Sequence, residues 1–173
     1  MNTSMIQANG ENKIWGYMTS PIGLLKITAS DAAVTAVERI ISEEEKPAGM
    51  EDKMIEHPLI RQCCEELQEY FAGCRQPFDV PLAPSGTPFQ QRVWNALCQI
   101  PYGKTRTYGE VAKMAGNPKA SRAVGMANHC NPILILIPCH RVIGSDGSLT
   151  GYAAGLETKK YLLQLEQENE IGR

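Results

Sequence analysis

The stretch "TYGEVAKMAGNPKASRAVGMAN", residues 107–128, decides the fold class of the second half of the chain, because it predicts two short helices joined by a tight turn. Thr107 and Glu110 have the spacing of a capping box, in which two side chains satisfy free backbone N–H groups at the start of a helix. We therefore expect a helix that begins at Thr107 and runs through Met114.

The second helix of this stretch begins beyond a glycine. Gly116 ends the first helix, and the pair 117–118 (Asn-Pro) opens a second helix that we expect to reach Asn128. Two short helices across a glycine-containing turn are typical of a helix-turn-helix, which places its second helix against DNA. Two packed helices without a role in DNA binding show the same pattern, so the spacing alone leaves both interpretations open.

A further helix precedes this pair. Thr87 and Gln90 form a second capping box, with a proline at the first helical position. The apolar stripe that follows consists of Phe89, Val93, Trp94 and Leu97. The segment 76–88 in front of it, "QPFDVPLAPSGTP", is rich in proline, glycine and serine and is typical of a linker. We therefore predict two domains, residues 1–84 and residues 85–173.

The first domain is predicted to be a small α/β unit. Residues 13–40 alternate between strand and turn signals and predict three strands, with Pro21 and Ser30 at the two turns. Apolar residues at helical spacing predict a helix over residues 58–72, which Gly73 closes. These apolar positions are Leu59, Cys63, Leu67 and Phe71.

The stretch "ILILIPCHRVIGSDG", residues 133–147, holds the most suggestive chemistry. Its apolar residues predict a buried strand that Pro138 ends, so Cys139 begins a turn beyond a rigid element. A thiol becomes a nucleophile as its thiolate, which needs a nearby base or cation, and His140 and Arg141 are the candidates. On the residues alone, a core cysteine beside a chance histidine is an equal alternative. Whether Arg141 acts on the thiol or pairs with an acid stays open.

The last predicted helix, residues 155–169, carries a candidate acid. Glu166 follows Leu162 by about one turn and lies at the edge of the apolar face, where it can orient His140 through the far ring nitrogen. The alternative is an ordinary boundary glutamate. The residues that we expect to face inward are Thr158, Tyr161, Leu162 and Leu165.

Composition and charge exclude several classes of protein. With 43% hydrophobic and 21% charged residues in 173 positions, the chain is typical of a globular protein rather than a disordered or fibrous one. We see no apolar run of about 18 residues for a membrane span and no secretory signal, so we expect a cytoplasmic protein. The net charge of −2 hides a basic second half, where residues 86–173 carry ten Lys/Arg against six Asp/Glu. That half allows modest electrostatic binding to nucleic acid.

The six cysteines show no disulfide or zinc pattern. None forms a C-x-x-C pair, and a cytosolic chain of this size favours reduced thiols. The cysteines that we expect to be small buried hydrophobic residues are Cys63, Cys98 and Cys130, and provisionally Cys64 and Cys74.

The pentapeptide "PCHRV", residues 138–142, resembles the active-site signature of the O6-alkylguanine-DNA alkyltransferases, also called methylated-DNA–protein-cysteine methyltransferases. Other segments occur in that family's order and spacing, with Glu166 after them: "TPFQQRVWNAL", "IPYGKTRTYGEVA", "GNPKASRAVGMANHCNP" and "ILIPCHRVIGSDGSLTGYAAGLETKKYLL". The specific resemblance covers about residues 87–166.

This resemblance implies a fold, a reaction and a partner. The fold is a ribonuclease H-like α/β domain followed by a mostly α domain of helix-turn-helix or winged-helix type. The reaction is DNA repair by a single transfer of the alkyl group of O6-alkylguanine, and as a candidate O4-alkylthymine, to a protein cysteine. The partner is duplex DNA, bound at the minor groove by a monomer that flips the damaged base out of the stack. No cofactor is implied, and since His57 is the only histidine of the first domain, we predict no zinc there.

The resemblance also assigns roles around the thiol. Cys139 would be the alkyl acceptor, and His140 would be the base that acts on it through water. Glu166 would orient that histidine, and Asn131 would brace the turn that carries the cysteine. Tyr108 would donate a proton or hydrogen bond to the guanine ring as it leaves.

The resemblance assigns a second group of residues to DNA and to the base pocket. Arg122 would insert into the duplex where the flipped base had been. The small residues of the same helix would lie close to DNA, with Tyr108 nearby: Ala120, Ser121, Ala123, Gly125 and Ala127. The pocket would be lined by Val142, Tyr152, Ala153 and Ala154. Ala153 departs from the family, where serine is common, so a backbone N–H stays available to the guanine oxygen but a hydroxyl does not.

Three rival functions share parts of this pattern. A non-catalytic relative that only senses alkyl lesions would lack the acceptor cysteine, but Cys139 is present. A cysteine hydrolase would use Cys139, His140 and Glu166 as a triad, but would not explain Arg122 in a helix pair or the basic second half. The third rival is a transcription factor with only structural cysteines; some relatives are fused to a regulatory domain, and we expect no such additional domain to fit in 173 residues.

Overall fold

A computed structural model describes residues 13–45 and 56–171 of the chain. The chain divides into two compact units, one that ends at Ser85 and one that begins at Gly86. None of the described helices is both long and apolar enough to cross a membrane.

The first unit contains a three-stranded antiparallel sheet in the order β1-β2-β3. Its strands are β1 (Ile14–Ser20), β2 (Gly23–Ala29) and β3 (Val34–Ile40), so the predicted strand and turn pattern is confirmed. The central strand is the most buried of the three, with Leu25, Ile27 and Ala29 fully inaccessible. A short 3-10 helix at Glu43–Glu45 follows the sheet.

Helix α1 (Pro58–Phe71) covers the sheet and confirms the helix predicted over residues 58–72. Gly73 ends it with φ +73°, a left-handed conformation that glycine adopts without steric cost. The helix also buries Glu66, whose Oε2 accepts hydrogen bonds from the backbone N–H groups of Asp79 and Val80 at 2.9 and 3.2 Å. These bonds tie the segment that leads to the second unit back onto the helix.

The second unit is mostly helical. Helices α2 (Pro88–Cys98), α3 (Tyr108–Met114) and α4 (Ser121–His129) pack on one another. The last helix, α5 (Leu156–Ile171), packs against a 3-10 turn at Cys139–Arg141. Two short strands, β4 (Arg106–Thr107) and β5 (Val142–Ile143), pair in parallel. This pairing joins the start of α3 to the residues that follow the 3-10 turn.

Both predicted capping boxes are present. Thr87 caps α2 together with Gln90, and Thr107 caps α3 together with Glu110, each through reciprocal hydrogen bonds. The start predicted for α4 is wrong by about three residues, since the segment after Gly116 makes a turn and the helix begins only at Ser121. Proline in that segment fixes a turn here rather than the first helical position.

The strand predicted for "ILILI" is wrong. Residues 134–137 form turns, in which the N–H of Leu136 donates to the carbonyl of Leu134 at 2.8 Å. Ile135 at the centre of this turn has φ +70°, a strained conformation for a β-branched residue. A buried apolar run of this length has the same appearance whether it extends or folds on itself, so the pattern did not distinguish the two.

The inward face of α5 differs from its prediction at one position. Thr158 and Leu162 are buried and Leu165 is half-buried, but Tyr161 is 37% exposed and Lys159 is buried in its place.

The cysteines outside the candidate site differ in burial. Cys63 and Cys64 are buried, Cys98 is half-buried, and Cys74 and Cys130 are exposed. The prediction that Cys130 is buried and the provisional prediction that Cys74 is buried are therefore wrong, since these residues lie just past the ends of α4 and α1.

Candidate active site

The Cys139 thiol lies at the start of the 3-10 turn and is held there by backbone geometry. Pro138 has φ −82° and ψ 62°, the conformation of an inverse γ-turn, and the N–H of Cys139 donates to the carbonyl of Ile137 at 2.8 Å. The proline ring fixes this φ value, so the direction of the cysteine is set locally. Cys139 is only 2% exposed.

Asn131 connects the thiol to the turn in front of it. Its Nδ2 donates to the carbonyl of Ile137 at 2.9 Å and to the Sγ of Cys139 at 3.0 Å. Its Oδ1 accepts from the N–H of Ile133 at 3.0 Å. One buried amide thus fixes both ends of the apolar turn and contacts the sulfur, which is the bracing arrangement implied by the resemblance.

The resting thiol is protonated. Burial raises the pKa of Cys139 to about 11, although the hydrogen bond from Asn131 and the positive charge of Lys159 act to lower it. At neutral pH the sulfur therefore holds its proton, and a base must remove it before the sulfur can attack.

His140 and Glu166 form a buried pair next to this thiol. The Nε2 of His140 lies 2.7 Å from the Oε1 of Glu166, and both side chains are fully buried. Burial lowers the pKa of His140 against the opposing effect of the Glu166 carboxylate. Neutral His140 donates its Nε2–H to Glu166, and its Nδ1 has no hydrogen-bond partner among the described residues. That nitrogen is a free acceptor for a proton.

Arg141 pairs with an acid, which answers the question that its sequence position leaves open. Its Nε and Nη2 donate to the two carboxylate oxygens of Glu166, both at 2.9 Å. Its Nη1 donates to the carbonyl of Ile100 at 2.7 Å. Arg141 is only 7% exposed, so its two bonds to Glu166 form a buried bidentate ion pair.

Glu166 receives a fourth hydrogen bond from the loop before β4. The N–H of Gly103 donates to its Oε2 at 3.1 Å. Gly103 has φ +74°, a left-handed conformation that favours glycine, and a Cβ atom there would force the Glu170 side chain to move, because its Oε2 would lie 2.5 Å away. Burial alone would raise the pKa of Glu166, but hydrogen bonds from His140 and Arg141 and the positive charge of Arg141 lower it well below its ordinary value. The carboxylate is therefore ionised.

Tyr108 and Lys159 meet at one backbone carbonyl. The hydroxyl of Tyr108 donates to the carbonyl oxygen of Thr150 at 2.9 Å, and the Nζ of Lys159 donates to the same oxygen at 3.1 Å. Lys159 also approaches the carbonyl of Gly151 at 3.5 Å. These bonds hold the 150–151 segment beside the start of α3.

Lys159 is a site residue that sequence reasoning missed. It is fully buried on α5, and burial lowers its pKa while the charge that Cys139 acquires as a thiolate raises it. The positive charge of Lys159 acts to lower the pKa of Cys139 and so stabilises the thiolate. The sequence carries no clear signal for it, because a lysine on an amphipathic helix normally faces solvent.

The residues assigned to the base pocket come before and after Thr150 in the sequence, and they differ in burial. Val142 and Ala154 are buried, Tyr152 is half-buried and Ala153 is exposed. Burial raises the pKa of Tyr152, so its hydroxyl keeps its proton. The hydroxyl influences the charge state of Cys139, but no described residue pairs with it in hydrogen-bond geometry.

The residues assigned to DNA lie on α4. Arg122 and Ala123 are exposed, as is Met126 one turn later, whereas Ser121 and Gly125 are half-buried. Gly125 faces α3, where a Cβ atom would lie 3.9 Å from the ring of Tyr108. The solvent-facing surface of α4 thus combines short side chains with the long side chains of Arg122 and Met126. Ala127, which was expected to lie close to DNA, is buried instead.

The second unit therefore contains an oriented thiol, a neutral histidine with a free acceptor nitrogen, and an ionised carboxylate fixed by an arginine. Such a set can deprotonate a thiol and use it as a nucleophile. Among the described residues, no group of three or more His, Cys, Asp or Glu side chains could hold a metal ion.

Two family models match consecutive parts of the chain. Residues 13–84 match "6-O-methylguanine DNA methyltransferase, ribonuclease-like domain". Residues 88–168 match "6-O-methylguanine DNA methyltransferase, DNA binding domain". The second match contains every residue of the site described above.

Individual relatives give the same result. The chain is 52% identical over 153 residues to a methylated-DNA–protein-cysteine methyltransferase of Methanosarcina acetivorans, covering 88% of this chain and 97% of the relative. Its fold is similar to the crystal structure of an O6-methylguanine methyltransferase of Mycobacterium tuberculosis, with TM-score 0.79, 42% identity, and coverage of 91% and 94%. It is also similar to OGT of that organism in complex with DNA, with TM-score 0.77, 43% identity, and coverage of 90% and 93%.

Proposed function

The chain belongs to the 6-O-methylguanine DNA methyltransferase family, and from this premise we propose that it repairs DNA by moving the alkyl group of O6-alkylguanine to its own Cys139. The observation that carries the residue assignment is the buried chain of hydrogen bonds from Glu166 to His140, beside a thiol held by Asn131. The product is a thioether, which a protein has no ordinary means of reversing, so each molecule acts once.

The proton and the alkyl group move in a balanced sequence. The thiol proton of Cys139 passes through a water molecule to the Nδ1 of His140, while the Nε2–H of His140 stays hydrogen-bonded to Glu166. The sulfur then attacks the alkyl carbon, so an S–C bond forms as the C–O6 bond breaks. The electron pair of the broken bond stays on guanine, which takes up a proton from the hydroxyl of Tyr108, itself reprotonated from water, and leaves as the normal base. The imidazolium of His140 later returns its proton to water.

Tyr108 is the group that we assign to help guanine leave. Its hydroxyl donates to Thr150 in the free protein, and on binding of the base it turns its hydrogen bond to the guanine ring. The contribution expected for such general-acid help is on the order of 10²–10⁴-fold. Val142, Tyr152, Ala153 and Ala154 line the pocket in this assignment, and the N–H at Ala153 supplies the bond that a serine hydroxyl cannot give here.

DNA binding is assigned to the helix pair α3 and α4, acting as a helix-turn-helix. Arg122 fills the gap left by the flipped base, and the short side chains Ser121, Ala123 and Gly125 allow α4 into the minor groove. That groove carries little sequence information, which suits repair at any site. The domain boundary near residues 84–85, a ribonuclease H-like fold of the first domain, action as a monomer and a cytoplasmic location belong to the same proposal.

The experiment that tests this function counts turnovers. Duplex DNA carrying O6-methylguanine is incubated in excess over the protein, and the repaired guanine is measured. The expected amount is one repaired base for each protein molecule. A lesion-sensing relative would bind the duplex but repair none, and repeated turnover would identify a hydrolase-like catalyst instead, so either outcome would contradict the proposal.

A further inference from the structure

We propose that Arg141 is a positioning residue for the transfer reaction, which keeps His140 neutral and leaves the Nδ1 of that histidine free to accept the thiol proton. This inference rests on the proposed function, since it concerns the same thiol. It goes beyond that function because Arg141 itself touches neither the thiol nor the alkylated base.

The geometry shows how Arg141 acts through Glu166. Two of its N–H groups occupy both carboxylate oxygens, and a third is anchored to the carbonyl of Ile100. The ring of Tyr102 lies 5.6 Å from the guanidinium carbon and covers it. Arg141 is thus fixed on several sides, and its only carboxylate partner among the described residues is the acid that orients His140.

The charge balance of the cluster explains why the arginine is needed. With Arg141, the buried guanidinium and the Glu166 carboxylate cancel, so His140 remains neutral at no further cost. Without it, a buried carboxylate would be left uncompensated, and such a site takes up a proton. The other charged group that acts on His140 is Lys159, which lowers its pKa as Arg141 does. Lys159 also interacts with the charge that Cys139 acquires as a thiolate.

That additional proton prevents His140 from acting as a base, whichever of the two side chains it binds. If it binds to His140, the ring becomes an imidazolium and both nitrogens are donors. If it binds to Glu166, the acid donates to Nε2, so the single ring proton must move to Nδ1. In both cases Nδ1 becomes an N–H group and cannot take the proton of Cys139.

The test is the pH dependence of single-turnover methyl transfer from duplex O6-methylguanine, measured for the full chain and two variants. In Arg141→Gln we expect the rate to fall roughly tenfold for each pH unit below neutrality, because a protonated base must first lose its proton. In the wild-type protein we expect a nearly flat rate over the same interval. Arg141→Lys keeps the charge but loses the bidentate geometry, so its rate is lower while its profile stays flat.

The outcomes separate a positioning role from a structural one. Equal slowing of Arg141→Gln at every pH would overturn the proposal, and so would an acid-sensitive profile in Arg141→Lys. A second measurement uses the wild-type protein alone, so it does not depend on how a variant folds. Nitrogen NMR of the three histidines, with His140 identified by the signal that His140→Gln removes, reports its protonation state.

We expect the wild-type His140 signal at neutral pH to show a neutral ring with its proton on Nε2. An imidazolium, or a proton on Nδ1, would contradict the proposal. Because this measurement needs no substrate, a protein that fails to repair O6-methylguanine but shows the expected tautomer would disprove the proposed function, while the neutral state that this inference assigns to His140 would stand.

Discussion

Replacing Arg122 by alanine is expected to slow repair of O6-methylguanine in duplex DNA on the order of 100-fold, because flipping a base costs a few kcal/mol that the inserted side chain offsets. Reaction with a free O6-alkylguanine base, which has no stack to leave, is expected to change less than about twofold. The exposed position of Arg122 on α4 makes a loss of folding stability a poor explanation for such a difference. Single-turnover rates on the two substrates measure the effect.

The matched control for this experiment is Lys160→Ala. Lys160 is also an exposed cation of the second unit, but it lies on α5. Lys160→Ala should lower the duplex rate only slightly, as expected for the loss of one general positive charge. If Arg122→Ala loses the same factor on the free base as on the duplex, Arg122 has no role in flipping.

Replacing Glu166 by glutamine is the second large effect, with methyl transfer expected to slow on the order of 10²–10³-fold on duplex and free base alike. The glutamine amide still fits, but it no longer balances the guanidinium of Arg141 or fixes Nε2–H of His140. Breaking a buried ion pair also costs about 3–5 kcal/mol of unfolding free energy, so a lower melting temperature should accompany the loss.

The control on the same helix is Glu168→Gln. Glu168 is exposed and bonds only to the side chain of Gln164 among the described residues, so the variant should retain the wild-type rate and melting temperature. Rates are compared at a temperature where both variants are folded by circular dichroism. A Glu166→Gln protein that repairs at more than half of the wild-type rate would show that the buried carboxylate does not assist the base.

Local signals account for the parts of the fold that the sequence predicts well. Capping boxes at Thr87 and Thr107 depend on residues three positions apart, so both helix starts follow from spacing alone. The meeting of Glu166 with His140 depends instead on how α5 packs, and the family resemblance rather than the spacing predicts it. The turn at Ile135 was missed because an apolar run does not reveal whether it extends or folds back.

Three charged residues show why the rest of the site could not be predicted from the sequence. Arg141 and Glu166 are 25 positions apart, so their pairing is a tertiary contact that no local pattern encodes. Lys159 belongs to a lysine pair on an amphipathic helix, where a lysine normally faces solvent. Its burial becomes clear only when the carbonyl groups of Thr150 and Gly151 are seen to receive its amino group.

The most direct measurement of the central claim is the intact mass of the protein after reaction with duplex O6-methylguanine, followed by peptide mapping. The account predicts one methyl in place of one hydrogen per molecule, located on the buried thiol of Cys139. The exposed thiols of Cys74 and Cys130 serve as internal controls, since unspecific methylation would reach them first. A methyl on either of them, or methylation that persists in Cys139→Ala, would contradict the account.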